Sequence, residues 1–329
     1  MKSAKRPRKT TAAGRAAHAP TLVLGVDGGG TKTRAVVTDE RGEILGEGLA
    51  GPSNPLRVGV AAAATAVRAA AERACGAAQV RRARLDAAQV GLAGVRRADL
   101  RERMREALRS LGADSLDVVT DADIALHGST GGGPGLVIIA GTGSICCGRN
   151  ARGRKTFAGG WGPLAGDEGA GSWVAREGLR AVARATDGRG RATTLVESSC
   201  LYFNVAKPDD LAFAIYSPAM TNHAIAGFAR HVIEAAKAGD DVAREIVMEG
   251  GRELGLAAVT VIKALRMERE GFPVGYVGGM FAAGELIFGP LGEAVGRVAR
   301  GAYFTPPRLD PAEAAAEMAR ERLRLALAG

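Results

Sequence analysis

The hydrophobic positions of the first half of the chain come in short runs punctuated by glycine. Thr21–Leu24 is apolar, the stretch Gly25 to Thr33 (GVDGGGTKT) interrupts it, and Ala35–Thr38 resumes it, which predicts a strand, a glycine turn and a second strand. Arg34–Asp39 and Glu43–Leu49, joined by Glu40-Arg41-Gly42, complete an antiparallel meander of three strands. Gly51-Pro52-Ser53-Asn54-Pro55 then breaks regular structure. Residues 58–79 carry Val58, Val60, Ala64, Val67 and Ala71 at near-helical spacing and predict a helix. A strand at Gln89–Leu92, an amphipathic helix from Asp99 to Leu111 and a strand at Leu116–Thr120 running into Asp121 follow. Strands alternating with helices after a meander indicate an α/β layer.

The pattern then repeats. Beyond Gly131-Gly132-Gly133-Pro134-Gly135, which reads as a boundary, Leu136–Ala140 predicts a strand, Gly141-Thr142-Gly143-Ser144 a turn and Ile145–Arg149 a strand. Asn150-Ala151-Arg152-Gly153 turns onto a third strand near Lys155–Ala158. The spacing differs between the two copies, so this is an echo of structure rather than of sequence, and it predicts two related lobes facing each other. A long glycine loop, Gly159 to Gly171, precedes a helix through Ala185; residues 221–270 are largely helical; Val274–Val277 meets Gly278-Gly279. A last amphipathic helix spans Asp310–Ala328, with Asp310 as N-cap and Pro311 at the first helical position. The expected units are a basic tail at 1–20, an N-terminal lobe at 21–130, a C-terminal lobe at 131–309, and a helix at 310–329 that returns to the N-terminal lobe.

Composition narrows the classes. A chain of 329 residues, 47% hydrophobic and 24% charged, can bury a sizeable core, and none of its apolar runs reaches the ~20 residues of a membrane span. The net charge is +9, but Lys2, Lys5, Arg6, Arg8, Lys9 and Arg15 supply six of it with no acid among the first 20 residues. The excess therefore reads as a disordered basic extension without the apolar stretch of a secretory signal, capable at most of weak nucleic-acid contact. Cys75, Cys146, Cys147 and Cys200 lack metal-ligand spacing, and the chain reads as cytosolic.

Three consecutive glycines between two strands suit a ligand that approaches the backbone closely, with phosphate the leading candidate. Asp27 at that turn can hold a metal ion bound to the phosphate, and Thr31, Lys32 and Thr33 supply hydroxyls and a cation. Asp121, just past the end of a parallel strand, stands where ligands bind in such sheets. Its competing role is N-cap of the following helix, and Asp123 is its rival as a base. Asp167 either contacts a ligand from its glycine loop or caps the next helix; Asn54 either contacts a ligand or stabilises the turn before Pro55; Trp161 either stacks on a ligand or packs between lobes. Glu168 is a second acid of the same loop, while Cys146 and Cys147 read as packing and His127, His223 and His231 as structural.

GVDGGGTKT, VIIAGTGS, GGWGPLAGDEGAGSW and VGGMF, in that order, resemble the sugar kinases and ATPases of the actin and hexokinase (ASKHA) fold. Within that group the resemblance is to the BadF/BadG/BcrA/BcrD ATPases and the related N-acetylglucosamine kinases, across about residues 21–305. It implies two ribonuclease-H-like lobes with a nucleotide and sugar cleft between them, ATP and Mg²⁺ as cofactors, and a homodimer. It implies phosphorylation of an amino sugar, at the 6-hydroxyl. It places Asp27 near Mg²⁺, through water, with Gly29, Gly30, Thr31 and Lys32 on the phosphates. Gly141, Thr142 and Gly143 match the second phosphate motif, and Gly278 and Gly279 the adenosine motif. Asp121 matches the aspartate that takes the proton of the acceptor hydroxyl, and Asn54, Asp167, Trp161 and Gly162 fall on the sugar side.

One position departs from the resemblance. Many N-acetylglucosamine kinases carry Asn directly after GTGS, where this chain has Ile145, so glucosamine or a muramic derivative suits the chain as well. The competing classes are a sugar or nucleotide sensor without catalysis, and the activators of 2-hydroxyacyl-CoA dehydratases and benzoyl-CoA reductases. Those activators hold an iron–sulfur cluster and carry a GGQD motif, which this sequence lacks.

Overall fold

The computed structural model describes residues 21–81 and 85–328; the expected basic tail at 1–20 lies outside them. The meander forms as β1 (Val23–Gly28), β2 (Thr33–Thr38) and β3 (Ile44–Ala50). Helix α1 (Pro55–Ala77) begins three residues before the periodic stretch, because Asn54 Oδ1 accepts the Leu56 amide and Pro55 takes the first helical position. Gly59 (φ 79°, ψ 159°) interrupts that first turn before the helix continues. There follow β4 (Ala87–Leu92), α2 (Ala98–Ala107), β5 (Ser115–Thr120) and α3 (Asp121–Thr130).

The second half repeats this order as β6 (Gly135–Ala140), β7 (Ser144–Arg149) and β8 (Lys155–Gly159). Helices α4 (Gly171–Thr186), α5 (Leu195–Phe203), α6 (Leu211–Ile215), α7 (Asn222–Gly227), α8 (Ala229–Lys237) and α9 (Asp241–Leu265) come before β9 (Phe272–Val277). The chain closes with α10 (Glu285–Val298), β10 (Ala302–Thr305) and α11 (Pro311–Ala328). The helical stretch 221–270 is broken where Asp240 accepts the Ala243 amide and starts α9. The hydrophobic pattern predicts neither α5, α6 nor β10; β10 has only four residues, too few to show a period, and pairs parallel with β9 at one sheet edge.

Each half builds a five-stranded sheet of the same topology, β3-β2-β1-β4-β5 and, read from the meander side, β8-β7-β6-β9-β10. In both, the meander is antiparallel and the later strands join parallel to the first. One face of the first sheet buries Leu24, Val26 and Val90 against Val67, Ala71 and Met104 of α1 and α2. The corresponding face of the second sheet buries Leu136, Ile138 and Val274 against Val174, Val232, Leu254 and Val261 of α4, α8 and α9.

The other face of the first sheet is covered by α11, and α3 lies between the two sheets. Ala312, Ala316 and Ala319 of α11 pack on Val23, Val36 and Ala87, and Leu126 of α3 packs on Val137 and Cys147. Backbone approach is close: a Cβ on Gly25 would lie 2.1 Å from the Ala312 carbonyl oxygen. Helix α3 is thus held by both sheets, with its N-terminus at the carboxyl end of β5. That position sets Asp121 near Asp27, whose carboxyl its charge raises.

Candidate active site

The first turn leaves β1 at Gly28 and is stapled from three sides. Gly29 N donates to Lys32 O at 3.0 Å, Ser53 N to Gly29 O at 3.0 Å, and Ala93 N to Gly28 O at 2.8 Å. Buried Thr33 donates its hydroxyl to the Gly51 carbonyl and is paired with Ser53 Oγ, both at 2.7 Å. A Cβ on Gly28 would meet Ser53 Oγ at 2.2 Å, so glycine is what lets the 51–54 segment seat against the turn. This seating brings Asn54 beside Gly94. Asn54 Oδ1 caps α1, and its Nδ2 has no partner among the described residues. Thr31 and Lys32 at the tip are exposed.

The second turn is stapled just as closely. Gly141 N donates to Gly143 O at 3.0 Å, Gly171 N to Gly141 O at 2.8 Å, and Ser172 N to Thr142 O at 3.1 Å. Asp167 sits beneath it, 6% exposed, with a left-handed backbone (φ 59°) and its Oδ1 accepting the Ser144 amide at 3.3 Å. Asp167 does not cap α4, whose N-cap is Ala170. Burial raises its pKa despite that amide. Gly278 (φ 120°) closes the turn from below, where a Cβ would lie 2.3 Å from Ala140 O, while a Cβ on Gly279 would meet open space. The Trp161–Gly166 stretch is propped by Arg176 of α4, which donates to the Pro163 and Gly166 carbonyls. Gly162 takes a positive φ of 82° there, and Trp161 is 68% exposed.

Asp121 and Asp123 divide two roles that the sequence leaves open between them. Thr120 is the N-cap of α3, and Asp123 completes a capping box with it, accepting from Thr120 N at 3.2 Å and sharing a 2.7 Å hydrogen bond with Thr120 Oγ1. Asp123 also pairs with Lys155 of β8 at 2.7 Å. Burial alone would raise the Asp123 carboxyl, but Lys155 and Thr120 outweigh it and hold it below the usual range. Asp121 accepts the Ala122 amide at 2.9 Å and has no ion-pair partner among the described residues. Burial pushes its pKa up to about 6, against that amide and helped by the Asp123 charge.

Asp27 is perturbed further. Burial is the main cause and the Asp121 and Asp310 charges add to it, so that its pKa rises to about 7 against Lys32 and Arg34. Asp27, raised by the Asp121 charge at the first backbone turn, and Asp121 itself form a hard oxygen donor set whose negative charge Lys32 and Arg34 offset only in part. This fits Mg²⁺, which is held by one or two carboxylates together with phosphate oxygens. The cysteines do not assemble. Cys75 lies in α1, Cys146 and Cys147 in β7, and Cys200 in α5; the only group of potential metal ligands among the described residues is His127, Glu317 and Glu321, on α3 and α11.

One member of the site escapes the sequence. His223 of α7, read from its spacing as structural, is exposed between the two turns, its Nδ1 3.4 Å from Thr31 Oγ1 and 3.5 Å from Thr142 Oγ1. It stands 192 and 81 residues from those partners, so no local pattern could have marked it. His127 is buried, with Nε2 2.9 Å from Glu317 Oε2, and His231 packs against Tyr202 and Phe228, as structural histidines do.

The sequence profile of the BadF/BadG/BcrA/BcrD ATPase family matches residues 24–319. An N-acetylmuramic acid/N-acetylglucosamine kinase of Clostridium acetobutylicum is 32% identical over 259 residues, covering 78% of this chain and 85% of its own length. An N-acetyl-D-glucosamine kinase of Dictyostelium discoideum is 31% identical over 270 residues, with coverage of 78% and 85%. The crystal structure of a candidate N-acetylglucosamine kinase from Chromobacterium violaceum superposes with a TM-score of 0.72 at 28% identity, covering 90% of this chain and 97% of that one. The two lobes are those of the actin and hexokinase fold. Among the described residues, no helix is long and apolar enough to cross a membrane.

Proposed function

Because the chain belongs to the BadF/BadG/BcrA/BcrD ATPase family, we propose that it is an ATP-dependent kinase of amino sugars of the N-acetylglucosamine, glucosamine or N-acetylmuramic acid kind, acting on the 6-hydroxyl. The observation that carries this reading is the division between two neighbouring acids. Asp123 is consumed by the capping box and Lys155, whereas Asp121 has no cation or capping role among the described residues and stands close enough to Asp27 of the first turn for its charge to raise that carboxyl.

In phosphoryl transfer the transition state is loose, so the protein contributes mainly position and charge. Gly29, Gly30, Thr31 and Lys32 of the first turn and Gly141, Thr142 and Gly143 of the second offer amides, hydroxyls and an ammonium to the phosphates. Gly278 and Gly279 leave a flat backbone surface for the adenine ring. Asp121 accepts the hydrogen bond of the sugar hydroxyl, orients it, and takes its proton as the new P–O bond forms. A carboxylate of pKa about 6 is too weak to ionise an alcohol beforehand, so proton transfer accompanies bond formation. Asp27 would hold Mg²⁺ through water, and the ion would neutralise charge on the phosphate oxygens. Asn54 offers its free amide to the sugar; Asp167 offers the second carboxylate oxygen and Trp161 a ring face, with Gly162 allowing that loop its turn. The 21–130 and 131–309 units act as the two jaws, and the working assembly is a homodimer.

ADP release coupled to a reporter, measured over N-acetylglucosamine, glucosamine, N-acetylmuramic acid, N-acetylmannosamine and glucose, tests the reading. A sugar-dependent rate on at least one amino sugar, with a phosphorylated product by mass spectrometry, is expected. A rate no higher with any sugar than without would sink it.

A further inference from the structure

Arg96 lies on the loop between β4 and α2, opposite the glycine loop of the other lobe, and it is held there by unusual means. Its guanidinium carbon sits 4.0 Å from the centroid of the Phe157 ring and 5.0 Å from that of Trp161. Its Nη1 donates to the Gly159 carbonyl at 3.3 Å. Arg97, the next residue, is exposed and paired with Asp99 at 2.9 Å, whereas Arg96 is half-buried and has no carboxylate partner among the described residues. A guanidinium carries five N–H donors in a rigid fork, and only one of them is accounted for. Two aromatic rings lie against the cation without neutralising its charge.

The surrounding residues give the part of the cleft this charge faces. Gly94, two residues upstream, would place a Cβ 2.3 Å from Asn54 Oδ1. Gly160, next to the Arg96 acceptor, donates its amide to Ser144 O at 2.9 Å and packs its α-carbon toward Ile145. Arg96 therefore closes a rim whose other members are Asn54, Ile145 and Trp161, the side of the cleft assigned above to the sugar. At Ile145 that rim offers an apolar side chain, so the strongest polar feature remaining on it is the unpaired guanidinium.

Resting on the kinase reading above, we propose that Arg96 is a specificity-determining residue that pairs with a carboxylate carried by the sugar, so that the enzyme favours an amino sugar bearing an acidic substituent, such as a lactyl ether, over its neutral counterpart. A fork of N–H donors matches a carboxylate in two parallel hydrogen bonds. The phosphoryl group in transit is the other oxyanion in the cleft, and it is common to acidic and neutral sugars alike. A contact to it would change the turnover of both sugars in equal proportion.

The test is the ratio of kcat/KM for N-acetylmuramic acid to that for N-acetylglucosamine in the wild-type protein, in Arg96→Met and in Arg96→Lys. Met keeps the apolar stem against Phe157 and Trp161, and thermal melting with a non-hydrolysable ATP analogue checks that each variant is folded. The ratio is expected to fall about ten- to a hundredfold in Arg96→Met, the worth of one charged hydrogen-bonded pair, and to recover in part in Arg96→Lys. A ratio in Arg96→Met within about twofold of the wild-type value assigns Arg96 to scaffold or phosphate and overturns the proposal, as does a wild-type protein that phosphorylates only the neutral sugar. A wild-type protein that phosphorylates neither overturns the kinase reading itself, and this inference with it.

Discussion

Two aspartates two residues apart behave differently because their hydrogen bonds differ, and the consequences can be separated by mutation. Asp121→Asn keeps the shape of the α3 N-terminus, since Thr120 and Asp123 do the capping. It is expected to lower sugar phosphorylation by at least about three orders of magnitude, toward the upper end of what a positioned base contributes, while ATP-analogue affinity measured by calorimetry changes little. Asp123→Asn breaks the Lys155 pair and half of the capping box, so the measurable loss there is thermal stability, about 1 kcal/mol. The pH dependence has a definite sign. As the base of the proposed reaction Asp121 must be unprotonated, so kcat/KM should fall as pH drops through the range of about 6 to 7 in which the Asp27 and Asp121 pair takes up protons. Stability runs the other way. Both acids have native pKa values raised above the ordinary 3.8, so the native state holds protons that the unfolded chain has already released. Their contribution is present at low pH and is lost as pH rises through about 6 to 7. Nucleotide-free Asp27→Asn should therefore melt higher than the wild type at about pH 7.5, a difference that shrinks toward about pH 5, and it should be nearly inactive with Mg²⁺-ATP. A lower melting temperature than wild type at the higher pH would show that Asp27 is not strained by burial.

At the scale of elements, glycines set where segments touch. Gly278 can be tested directly, since its φ of 120° and the 2.3 Å approach of a Cβ to Ala140 O leave no room for a side chain. Gly278→Ala should displace the second turn and raise KM for ATP at least about tenfold, with a stability loss of about 1–3 kcal/mol from backbone overpacking. Steady-state kinetics with ATP varied reads the first and denaturant unfolding the second. The turns were legible in the sequence because a strand, a run of glycines and a second strand make a local signal, and the repeat of that signal at Gly141–Ser144 indicated the paired sheets. Local signals also placed Asp121, since a strand ending in an acid before a helix is readable from spacing. The start of α1 was displaced because Asn54 and Pro55 form a helix end without any apolar period. His223 and Arg96 were invisible for a different reason: their partners are remote in sequence and are assembled only by the facing of the lobes. The Asp121 and Asp123 ambiguity likewise needed Lys155, which β8 brings to α3 from the other half of the chain.

For the molecule as a whole, the contacts between lobes are of two kinds, and this asymmetry predicts how it moves. Deep between the sheets, α3 is fixed by the apolar packing of Ala122, Ala125 and Leu126 on Val137 and Cys147, while α11 backs it from the first sheet. At the mouth of the cleft the lobes meet through thin polar contacts, with His223 near Thr31 at 3.4 Å, both groups exposed, and Arg96 over Phe157 and Trp161. Packed cores resist deformation, whereas a few exposed polar contacts cost little to separate. The covalent link from α3 to β6 passes through Gly131 (φ 58°) and Gly132 (φ 76°), where glycine lets the backbone change direction without strain. Opening at the mouth about the α3 side is therefore the soft motion, and closure over substrates keeps water from the phosphoryl group. Small-angle scattering should record a smaller radius of gyration when a substrate sugar and a non-hydrolysable ATP analogue are added together, with a smaller change for either alone. In the kinase reading each ligand would touch both lobes, by way of the two phosphate turns or of Asn54 and Asp167, so each would favour the closed arrangement and the two effects would reinforce one another. Identical scattering curves with and without both ligands would mean that the mouth contacts already hold the lobes shut, and that substrates enter without a change in the lobe angle.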